Sequence, residues 1–338
     1  MTVSIIIPTY NRADTLEITL SSIYRQVDLE GVEVIVIDNG STDNTTNTCS
    51  TFAKEYLPAL KYQVDAEPGL LTGRHAGASL ATGEILCFID DDVELSHTWI
   101  SGVKDAFRDD EIQLATGPCL PKYEAPPPAW LNFFWESMGS EGRLCTWLSL
   151  LDLGNNNKLD IHPNYVWGLN FCIRKTAFYK LGGFHPDNIP DHLQMFQGDG
   201  ETGLTLKAYR VNYKAIYHPQ IMLHHIIQSK RLTVDYFKKR AFYQGVCNSF
   251  TDLKETYQNS RKQSTLTANI TTLRRVLQEA KNKLKSMFFT PQEIMLIKKE
   301  LRQKELEGYH FHQQAFKSNP KVKKWVLQKD YWNYKLPV

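Results

Sequence analysis

Three adjacent aspartates, Asp90, Asp91 and Asp92, directly follow the apolar run ILCFI. Ionised carboxylates this close repel one another and need a cation, protons or water to offset them. A helix cap with exposed turn carboxylates explains one aspartate beside a buried strand, but hardly three. Mg²⁺ and Mn²⁺ prefer carboxylate and phosphate oxygens, and water and substrate phosphates usually complete their shell. The segment therefore predicts a divalent cation and a phosphate-bearing substrate, with Asp90 and Asp92 on the same side of an extended chain.

Polar residues also follow other short apolar runs in the first part of the chain. In an open α/β sheet, ligands bind outside the carboxyl ends of the strands. Turns favour Asn, Asp and Gly in any case, but four polar ends in succession favour a ligand site. These polar ends are residues 9–12, residues 38–43, residues 67–69 with Arg74, and residues 90–92.

An alternation of strand and helix patterns predicts the frame that positions these residues. The runs VSIIIPTY, VEVIVIDNG, LKYQVDAE, EILCFIDDD and IQLATGPCLP are typical of strands, and helical patterns lie between them. Near-continuous Val and Ile runs indicate a mostly parallel sheet that helices cover on both faces. The fold class predicted is α/β.

The pattern changes after residue 120. Residues 121–165 are rich in Pro, Trp and Asn and read as a long irregular loop insertion, of the kind that often forms a binding loop or lid. Strand and helix patterns resume over residues 166–245. The remaining residues, 246–338, are mainly helical and basic. We expect one α/β domain over residues 1–245 and a helical C-terminal extension over residues 246–338.

The composition is that of a soluble globular protein, with 42% hydrophobic and 22% charged residues. No apolar stretch approaches the roughly 18–20 residues of a membrane span, and MTVSIIIPTYNR does not resemble a signal peptide. The six cysteines are scattered and form no CxxC pair. We therefore expect free thiols that pack as small hydrophobes, in a reducing, cytoplasmic setting.

Charge is distributed unevenly along the chain. Residues 261–338 contain 17 Lys and Arg against 6 Asp and Glu, although the net charge of the whole chain is only +2. The segments YFKKRAFYQG and KVKKWVLQKDYWNYK interleave basic and aromatic residues, which favours peripheral contact with an anionic membrane; solvated helix faces are the alternative. The sequence has no nucleic-acid-binding motif, and residues 1–260 are acidic overall. We therefore expect no nucleic acid partner.

Common nucleotide and metal motifs are missing. The sequence has no GxxxxGK[ST], no GxGxxG after the first strand and no HExxH. Their absence argues against a P-loop kinase or ATPase and removes the main support for a dehydrogenase.

Four segments in order resemble a family 2 glycosyltransferase with the GT-A fold: VSIIIPTYNRADTLEITLSSI, VEVIVIDNGSTDNT, EPGLLTGRHAGASLATGEILCFIDDD and GDGETGLTLKAYR. The likeness covers roughly residues 3–245. It implies a Rossmann-like, mostly parallel sheet, a UDP- or GDP-type nucleotide-sugar donor, and Mn²⁺ or Mg²⁺ as cofactor. It also implies transfer of the sugar, with inversion, to a hydroxyl of a glycan, glycolipid or other acceptor. Residues 1–120 would bind the nucleotide sugar, and residues 166–245 would form the acceptor and catalytic half.

The resemblance implies roles for single residues. Asp38 would contact the base, Asp90 would face the ribose, and Asp92 would be the principal metal ligand, with Asp90 as a second candidate. A late histidine would join the metal or the diphosphate, and His225 is favoured over His224 because neighbours on an extended segment point opposite ways. The full set implied to bind the nucleotide sugar is Pro8, Thr9, Tyr10, Arg12, Asp38, Asn39, Arg74, Asp90 and Asp91.

The catalytic base implied by the resemblance lies in QGDGETGL. An acceptor hydroxyl needs a general base on the face of the sugar opposite the leaving group. Glu201 is favoured and Asp199 stays open, because the segment departs from the usual pattern; acids placed at a helix N-terminus for its dipole are the structural alternative. Trp167, Trp130 and Trp135 are candidate acceptor contacts, since aromatic faces stack on sugars, although ordinary packing also explains each.

Two other functions stay open from the sequence. A sugar-phosphate nucleotidyltransferase shares a related fold and an acidic metal site, but it carries a Gly-rich basic signature where this chain has PTYNRADTLE. A non-catalytic nucleotide- or carbohydrate-binding GT-A module would have little need for both the triple aspartate and the GDGE segment.

Overall fold

The chain forms two compact units in the computed structural model, which describes residues 1–56, 58–65, 67, 69–138, 142–154, 159–259, 291–332, 335 and 336. The first unit comprises Met1–Thr233 and Gln328–Val338, and the second comprises Val234–Leu327. This division differs from the expected boundary after residue 245, because one helix, Val234–Asn259, runs across that position.

A large mixed sheet is the frame of the first unit. Its described strands are, from edge to edge, β11 (Leu159–Ile161), β13 (Lys214–Tyr217), β6 (Ile112–Thr116), β12 (Asn170–Arg174), β4 (Ile85–Ile89), β1 (Val3–Thr9), β2 (Val32–Asp38) and β3 (Leu60–Val64). The neighbours β3, β2, β1 and β4 are all parallel, as are β13 and β6, whereas β12 runs antiparallel to both of its neighbours. The mostly parallel α/β sheet predicted from the sequence is confirmed.

Helices cover both faces of this sheet. They are α1 (Ala13–Tyr24), α2 (Thr45–Glu55), α3 (Leu70–Leu80), α4 (Trp99–Ala106), α5 (Lys175–Leu181) and α6 (Thr202–Arg210). Side chains of a strand alternate between faces, so Ile5 packs with the core that holds Leu16 of α1, and Ile6 packs with the core that holds Leu71 of α3. Burial on both faces explains why the β1 and β4 sequences are almost continuously apolar.

Helix α3 approaches β1 unusually closely. A Cβ atom on Gly77 would lie 2.3 Å from Cγ2 of Ile6, so only glycine fits at that point of the helix. The small residues of LLTGRHAGASL therefore allow α3 to pack closely on the sheet. This close packing fixes the distance between the sheet and Arg74, which lies one turn before Gly77 in α3.

A second sheet lies beside the first in the same unit. Its described strands are β5 (Val93–Leu95), β14 (Leu223–Ile227), β7 (Cys119–Tyr123), β10 (Leu150–Asp152), β9 (Gly142–Cys145) and β8 (Glu136–Met138). Residues 121–165, expected to be irregular, thus supply short strands. They also contain the 3-10 helices Ala129–Phe134, Thr146–Leu148 and Pro163–Tyr165, and two more follow at Asp191–Phe196 and Ser229–Arg231. Strands this short carry no readable alternation of polar and apolar residues.

The second unit contains the helices Val234–Asn259, Gln292–Ser318 and Pro320–Val326, which confirms the expected C-terminal helices. In the part of the chain that the structure describes, no helix is both long and apolar enough to span a bilayer. Much of the basic tail, residues 260–290, lies outside the described residues. Trp325 and Tyr331, from the basic-aromatic segments, are only 2% and 1% exposed, which leaves these two rings unavailable to a membrane surface.

None of the six cysteines, all of which lie among the described residues, forms a disulfide, and five of them are buried. They pack as small hydrophobes, as expected from their apolar neighbours. Burial raises the pKa of Cys119 to about 12, which keeps its thiol protonated and unreactive at neutral pH.

Candidate active site

Strands β1, β2 and β4 end at the same edge of the large sheet, where Thr9 pairs with Asp38 in register. Strand β4 stops at Ile89 and β5 begins at Val93, so the triple aspartate forms the turn between the two sheets. The three carboxylates therefore do not alternate as they would on an extended strand. Their partners differ, although Asp91 and Asp92 share Arg12.

Asp92 lies among three cationic or imidazole groups. Its Oδ2 accepts hydrogen bonds from Arg12 Nη1 at 2.5 Å and from Arg231 Nη2 at 2.9 Å, and its Oδ1 lies 3.7 Å from Nε2 of His225. Burial alone would raise the pKa of Asp92, but the positive charges around it outweigh burial and hold that pKa well below its usual range. Asp92 is therefore an ionised carboxylate at any physiological pH.

His225 reaches Asp92 because β14 pairs with β5, which places His225 opposite Val93. Its Nδ1 lies 2.9 Å from the carbonyl oxygen of Leu148, so Nδ1 carries the proton and Nε2 presents a lone pair. Arg231 Nη1 donates to that lone pair at 2.9 Å. His224, the alternative, pairs with Glu94 on the neighbouring strand. The structure thus brings His225, and not His224, to Asp92.

Asp91 faces the end of β1. Its Oδ2 accepts from the Thr9 hydroxyl at 2.7 Å, and its Oδ1 accepts from Arg12 at 3.3 Å. Burial raises the pKa of Asp91 to about 7, with Arg12 opposing this shift and the charge of Asp92 adding to it. Arg12 therefore joins two of the three aspartates to the loop after β1.

Asp90 belongs to a different cluster, centred on Arg74. The Arg74 guanidinium is 1% exposed; its Nη2 donates to Asp90 Oδ1 at 2.7 Å and to the Gly168 carbonyl at 2.9 Å. Its Nη1 lies 3.9 Å from Oε2 of Glu201, whose Oε1 accepts from the Gly168 N–H at 3.1 Å. One buried cation thus links the end of β4 to the start of α6. The Glu201 side chain is 27% exposed, so its carboxylate stays open to an incoming group.

Asp199 belongs to a second cluster, which contains His185. It is 5% exposed, and its Oδ1 lies 2.5 Å from Nδ1 of His185. The other nitrogen of His185 lies 3.1 Å from Nζ of Lys207, so a buried chain of polar groups supports the turn before α6. Burial lowers the pKa of Lys207, against the charge of Asp199. Asp199 and Glu201, which the sequence left open as alternatives, have different surroundings.

Residues after β1 and β2 line a second part of this edge. Asp38 is 1% exposed, with Oδ1 accepting from Ser41 N at 2.7 Å and Oδ2 accepting from the Tyr62 hydroxyl at 2.6 Å. The Asn39 amide donates to the carbonyl oxygen of Glu67 at 3.0 Å. A contact between Asp38 and a base stays a prediction, since both of its oxygens already have partners.

The remaining predicted residues differ in exposure. Pro8 is buried in β1, whereas Tyr10 is 57% exposed just beyond it. Trp167 donates from Nε1 to the Asn164 carbonyl at 2.9 Å. Trp135 lies under the Arg143 guanidinium at 4.7 Å, and the Trp130 ring meets Phe134 edge-on at 5.6 Å. Ordinary packing accounts for these tryptophan contacts.

Several residues of the site were not among those assigned from the sequence. Arg231 donates to both Asp92 and His225, and Gly168 lies between Arg74 and Glu201. A Cβ on Gly168 would lie 2.4 Å from Arg74 Nη1, so its glycine is needed for the buried guanidinium. The Arg-Leu-Thr run that follows the two histidines in the sequence is the signal that could have indicated Arg231.

Asp92 and His225 are the residues that fit a divalent cation. One ionised carboxylate and one imidazole whose unprotonated Nε2 accepts from Arg231 make a partial donor set, and no cluster of three or more His, Cys, Asp or Glu suited to a metal occurs among the described residues. Mg²⁺-type ions commonly take one or two protein ligands and obtain the rest of their shell from water and substrate phosphates. The donor set therefore fits a cation that binds together with a diphosphate.

Comparison with known proteins identifies the class. The fold is that of GT-A glycosyltransferases: the mannosyltransferase PcManGT from Pyrobaculum calidifontis, solved with GDP-Man and Mn²⁺, superposes with a TM-score of 0.51 at 17% identity, over 96% of this chain and 78% of that one. Such a likeness shows the fold alone.

The family follows from the sequence match. The model of glycosyl transferase family 2 matches residues 4–182, and the chain belongs to that family. Validoxylamine A glucosyltransferase from Streptomyces hygroscopicus is 27% identical over 54% of this chain, and this chain spans about half (47%) of its length. Glucosyl-dolichyl phosphate glucuronosyltransferase from Haloferax volcanii is 23% identical over 75% of this chain and 78% of its own. Membership in this family argues against the nucleotidyltransferase alternative.

Proposed function

We propose that the protein is a metal-dependent, inverting glycosyltransferase that moves a sugar from a UDP- or GDP-type donor to an acceptor hydroxyl. The observation that carries this proposal is the Arg74 cluster, in which one buried guanidinium contacts Asp90 at 2.7 Å and Glu201 at 3.9 Å. It joins the edge where a nucleotide would lie to an acid that is open to solvent. A module without catalytic activity has no evident need for that link.

Glu201 is the general base in this proposal. The acceptor oxygen attacks the anomeric carbon, its proton passes to a Glu201 carboxylate oxygen, and the bond from that carbon to the diphosphate oxygen breaks with its electron pair leaving on the diphosphate. Attack from the side opposite the leaving group inverts the anomeric centre. The 27% exposure of Glu201 supports this role, whereas Asp199 is buried against His185 and serves the turn.

The opposite side of the site suits the leaving group. Arg12 and Arg231 supply positive charge beside Asp92, where a diphosphate would gain negative charge as the sugar departs. Asp92 and His225 would hold Mn²⁺ or Mg²⁺ there, and the bound ion would supply further stabilisation of that charge. Asp90, Asp91, Thr9 and Asn39 would line the nucleoside end with Asp38.

The class of acceptor is proposed from the relatives. The Haloferax relative is named as acting on a glucosyl-dolichyl phosphate, which supports a glycolipid or glycan acceptor for this chain. Peripheral contact with an anionic membrane through the basic residues after 260 would suit a lipid-linked acceptor and stays a prediction. Trp167 is the tryptophan nearest in sequence to Gly168 and the best placed of the three to meet an acceptor.

A screen of nucleotide sugars by thermal shift with Mn²⁺ present tests the donor. A ligand that binds only the folded state stabilises it by RT ln(1 + [L]/Kd), about 2.7 kcal/mol at a hundredfold excess over Kd, so the true donor should stand out. Hydrolysis and transfer of that donor are then measured with and without Mn²⁺ for the wild type and for Asp92→Asn.

We expect activity to need the ion and to fall at least about 100-fold in Asp92→Asn, because removal of a transition-state charge contact costs about that factor. Activity indifferent both to metal and to Asp92 would overturn the proposal. Binding of a donor without hydrolysis or transfer would instead indicate a non-catalytic module.

A further inference from the structure

The segment that ends the described chain returns to the first unit and contacts helix α3. His75 of α3 is buried, and both of its ring nitrogens have partners: Nδ1 lies 3.1 Å from the carbonyl oxygen of Tyr331, and Nε2 accepts from the Phe184 N–H at 3.0 Å. This pattern requires the tautomer with the proton on Nδ1. The residue next to His75 along the helix is Arg74.

Trp332 packs on His75 of α3 and on two rings of α5. Its ring centroid lies 4.8 Å from that of His75 and 5.3 Å from that of Phe178, and it stacks on Tyr179 at 4.8 Å. Trp332 is partly buried, and contact of a tryptophan with three rings is a large contribution to packing. Further along, the Leu336 N–H donates to Oε1 of Glu67, just before α3, at 2.7 Å.

Tyr331 reaches the other side of the site. Its ring is 1% exposed and meets the His185 ring edge-on at 5.3 Å. His185 is hydrogen-bonded to Asp199, and Glu201 follows two residues later at the start of α6. Two consecutive residues of the C-terminal segment thus contact both histidines that lie behind the Arg74 and Glu201 side chains.

The position of the Arg74 guanidinium depends on how the surrounding helices pack. Its Nη2 atom is held by Asp90 and Gly168, but its buried Nε and Nη1 atoms have no hydrogen-bond partner within the described residues. Hydrogen bonds hold the guanidinium at Nη2. The distance from Nη1 to Glu201 therefore depends on the positions of α3 and α6. A shift of either helix would change that distance directly.

We propose that Tyr331 and Trp332 are positioning residues for the reaction: Trp332 holds α3, and with it Arg74, while Tyr331 holds the turn that carries Glu201. This inference rests on the proposed function and adds residues outside the matched family region, 4–182. Neither residue needs to touch donor or acceptor. Their effect passes through the Arg74–Glu201 pair.

The test uses the full chain with Trp332→Leu, Trp332→Phe and Tyr331→Leu. Phe107→Leu is the control for loss of a buried ring elsewhere in the first unit, because Phe107 is 1% exposed, as is Tyr331, but contacts Arg174 at the other end of β12. Hydrogen exchange of residues 70–80, kcat and KM for the donor found in the screen, and the melting temperature are measured for each variant.

We expect Trp332→Leu to speed exchange in residues 70–80 and to lower kcat about 10- to 100-fold, since a displacement near 1 Å can cost about 100-fold in rate. Trp332→Phe, which keeps an aromatic ring, should restore most of the rate. Tyr331→Leu keeps the backbone carbonyl that binds His75, so it should lower kcat while exchange in residues 70–80 stays at the wild-type rate. Phe107→Leu should lower the melting temperature and leave kcat within twofold.

A double-mutant cycle separates positioning from general destabilisation. In an Arg74→Lys background, Trp332→Leu should cost less than threefold in kcat, because the group through which it acts is already changed. Equal losses in both backgrounds, or wild-type kcat and exchange rates in Trp332→Leu, would overturn the inference. A wild-type protein that processes no nucleotide sugar would instead count against the proposed function, and the exchange measurements would still decide whether Trp332 holds α3.

Discussion

Nε2 of His225 lies 3.7 Å from Oδ1 of Asp92, although one residue belongs to β14 and the other to the turn after β4. The antiparallel pairing of β14 with β5 creates this proximity, since it sets His225 opposite Val93. An arginine, Arg231, donates to both residues and neutralises the carboxylate. A guanidinium therefore competes for the same lone pairs that a divalent cation would use.

That competition predicts an effect of Arg231 on metal affinity. In Arg231→Gln, we expect Mn²⁺ to bind the protein without donor about 10-fold more tightly, because removing one competing charged hydrogen bond is worth about 1.5 kcal/mol. Electron paramagnetic resonance of free Mn²⁺ measures the affinity. Lys230→Gln removes the same charge from the exposed neighbouring position and is the control. Equal Mn²⁺ affinity in the wild type and Arg231→Gln would show that the arginine does not compete.

Glu201 and Asp199 should respond differently to loss of their charge. We expect Glu201→Gln to lower kcat about 100- to 10,000-fold with little change in donor affinity, the usual range for removal of a general base. Asp199→Asn should mainly lower the melting temperature, because it weakens the buried bond to His185. Rate measurements and thermal unfolding of both variants check this. A larger loss of kcat in Asp199→Asn would reverse the assignment.

Gly168 leaves room for the Arg74 guanidinium, and filling that room should harm the reaction more than the fold. A methyl group in Gly168→Ala would lie 2.4 Å from Arg74 Nη1, so the guanidinium must shift. We expect a loss of about 100-fold in kcat, as for other displacements near 1 Å. Gly102→Ala, where the added Cβ would lie 2.8 Å from Cβ of Gln220, is the control for crowding elsewhere. Comparable activity of the two variants would contradict the prediction.

His75 should make stability depend on pH. Burial lowers its pKa from 6.5 to about 4, so the folded protein keeps the ring neutral while the unfolded chain accepts a proton. The contribution of the neutral His75 ring to the free energy of unfolding is therefore complete above pH 6.5. That free energy falls by up to about 3 kcal/mol as the pH falls from 6.5 toward 4.

Urea unfolding of the first unit across this range measures the effect. His75→Gln keeps a donor and an acceptor but does not titrate, so its stability should change less with pH than that of the wild type. Parallel pH profiles for the two proteins would mean that His75 is not the group responsible.

Local sequence patterns predicted the strands and the polar edge well. The runs that became β1, β2 and β4 are apolar because both faces of the sheet are covered, and this burial is visible in the sequence itself. The positions of Asp92 and His225 followed from a family resemblance, and the resemblance to family 2 is confirmed.

Contacts between distant parts of the chain could not be predicted from local sequence patterns. The pairing of Arg231 with Asp92, and the carbonyl of Tyr331 beside His75, depend on how remote segments fold together. The short strands of residues 121–165 were missed because three or four residues do not establish a period. The domain boundary expected after residue 245 stays a prediction; the helix Val234–Asn259 runs through that position.

The order of the two units along the chain has a consequence for synthesis. Helix α3 and the turn before α6 leave the ribosome early, but Tyr331 and Trp332 follow only after the whole of Val234–Leu327 has been translated. Domains generally fold as units during synthesis, N-terminal domains first. Here the unit with the candidate site also needs Gln328–Val338, which are translated after the second unit. A nascent chain would therefore carry an incompletely supported Arg74 until translation has passed the second unit.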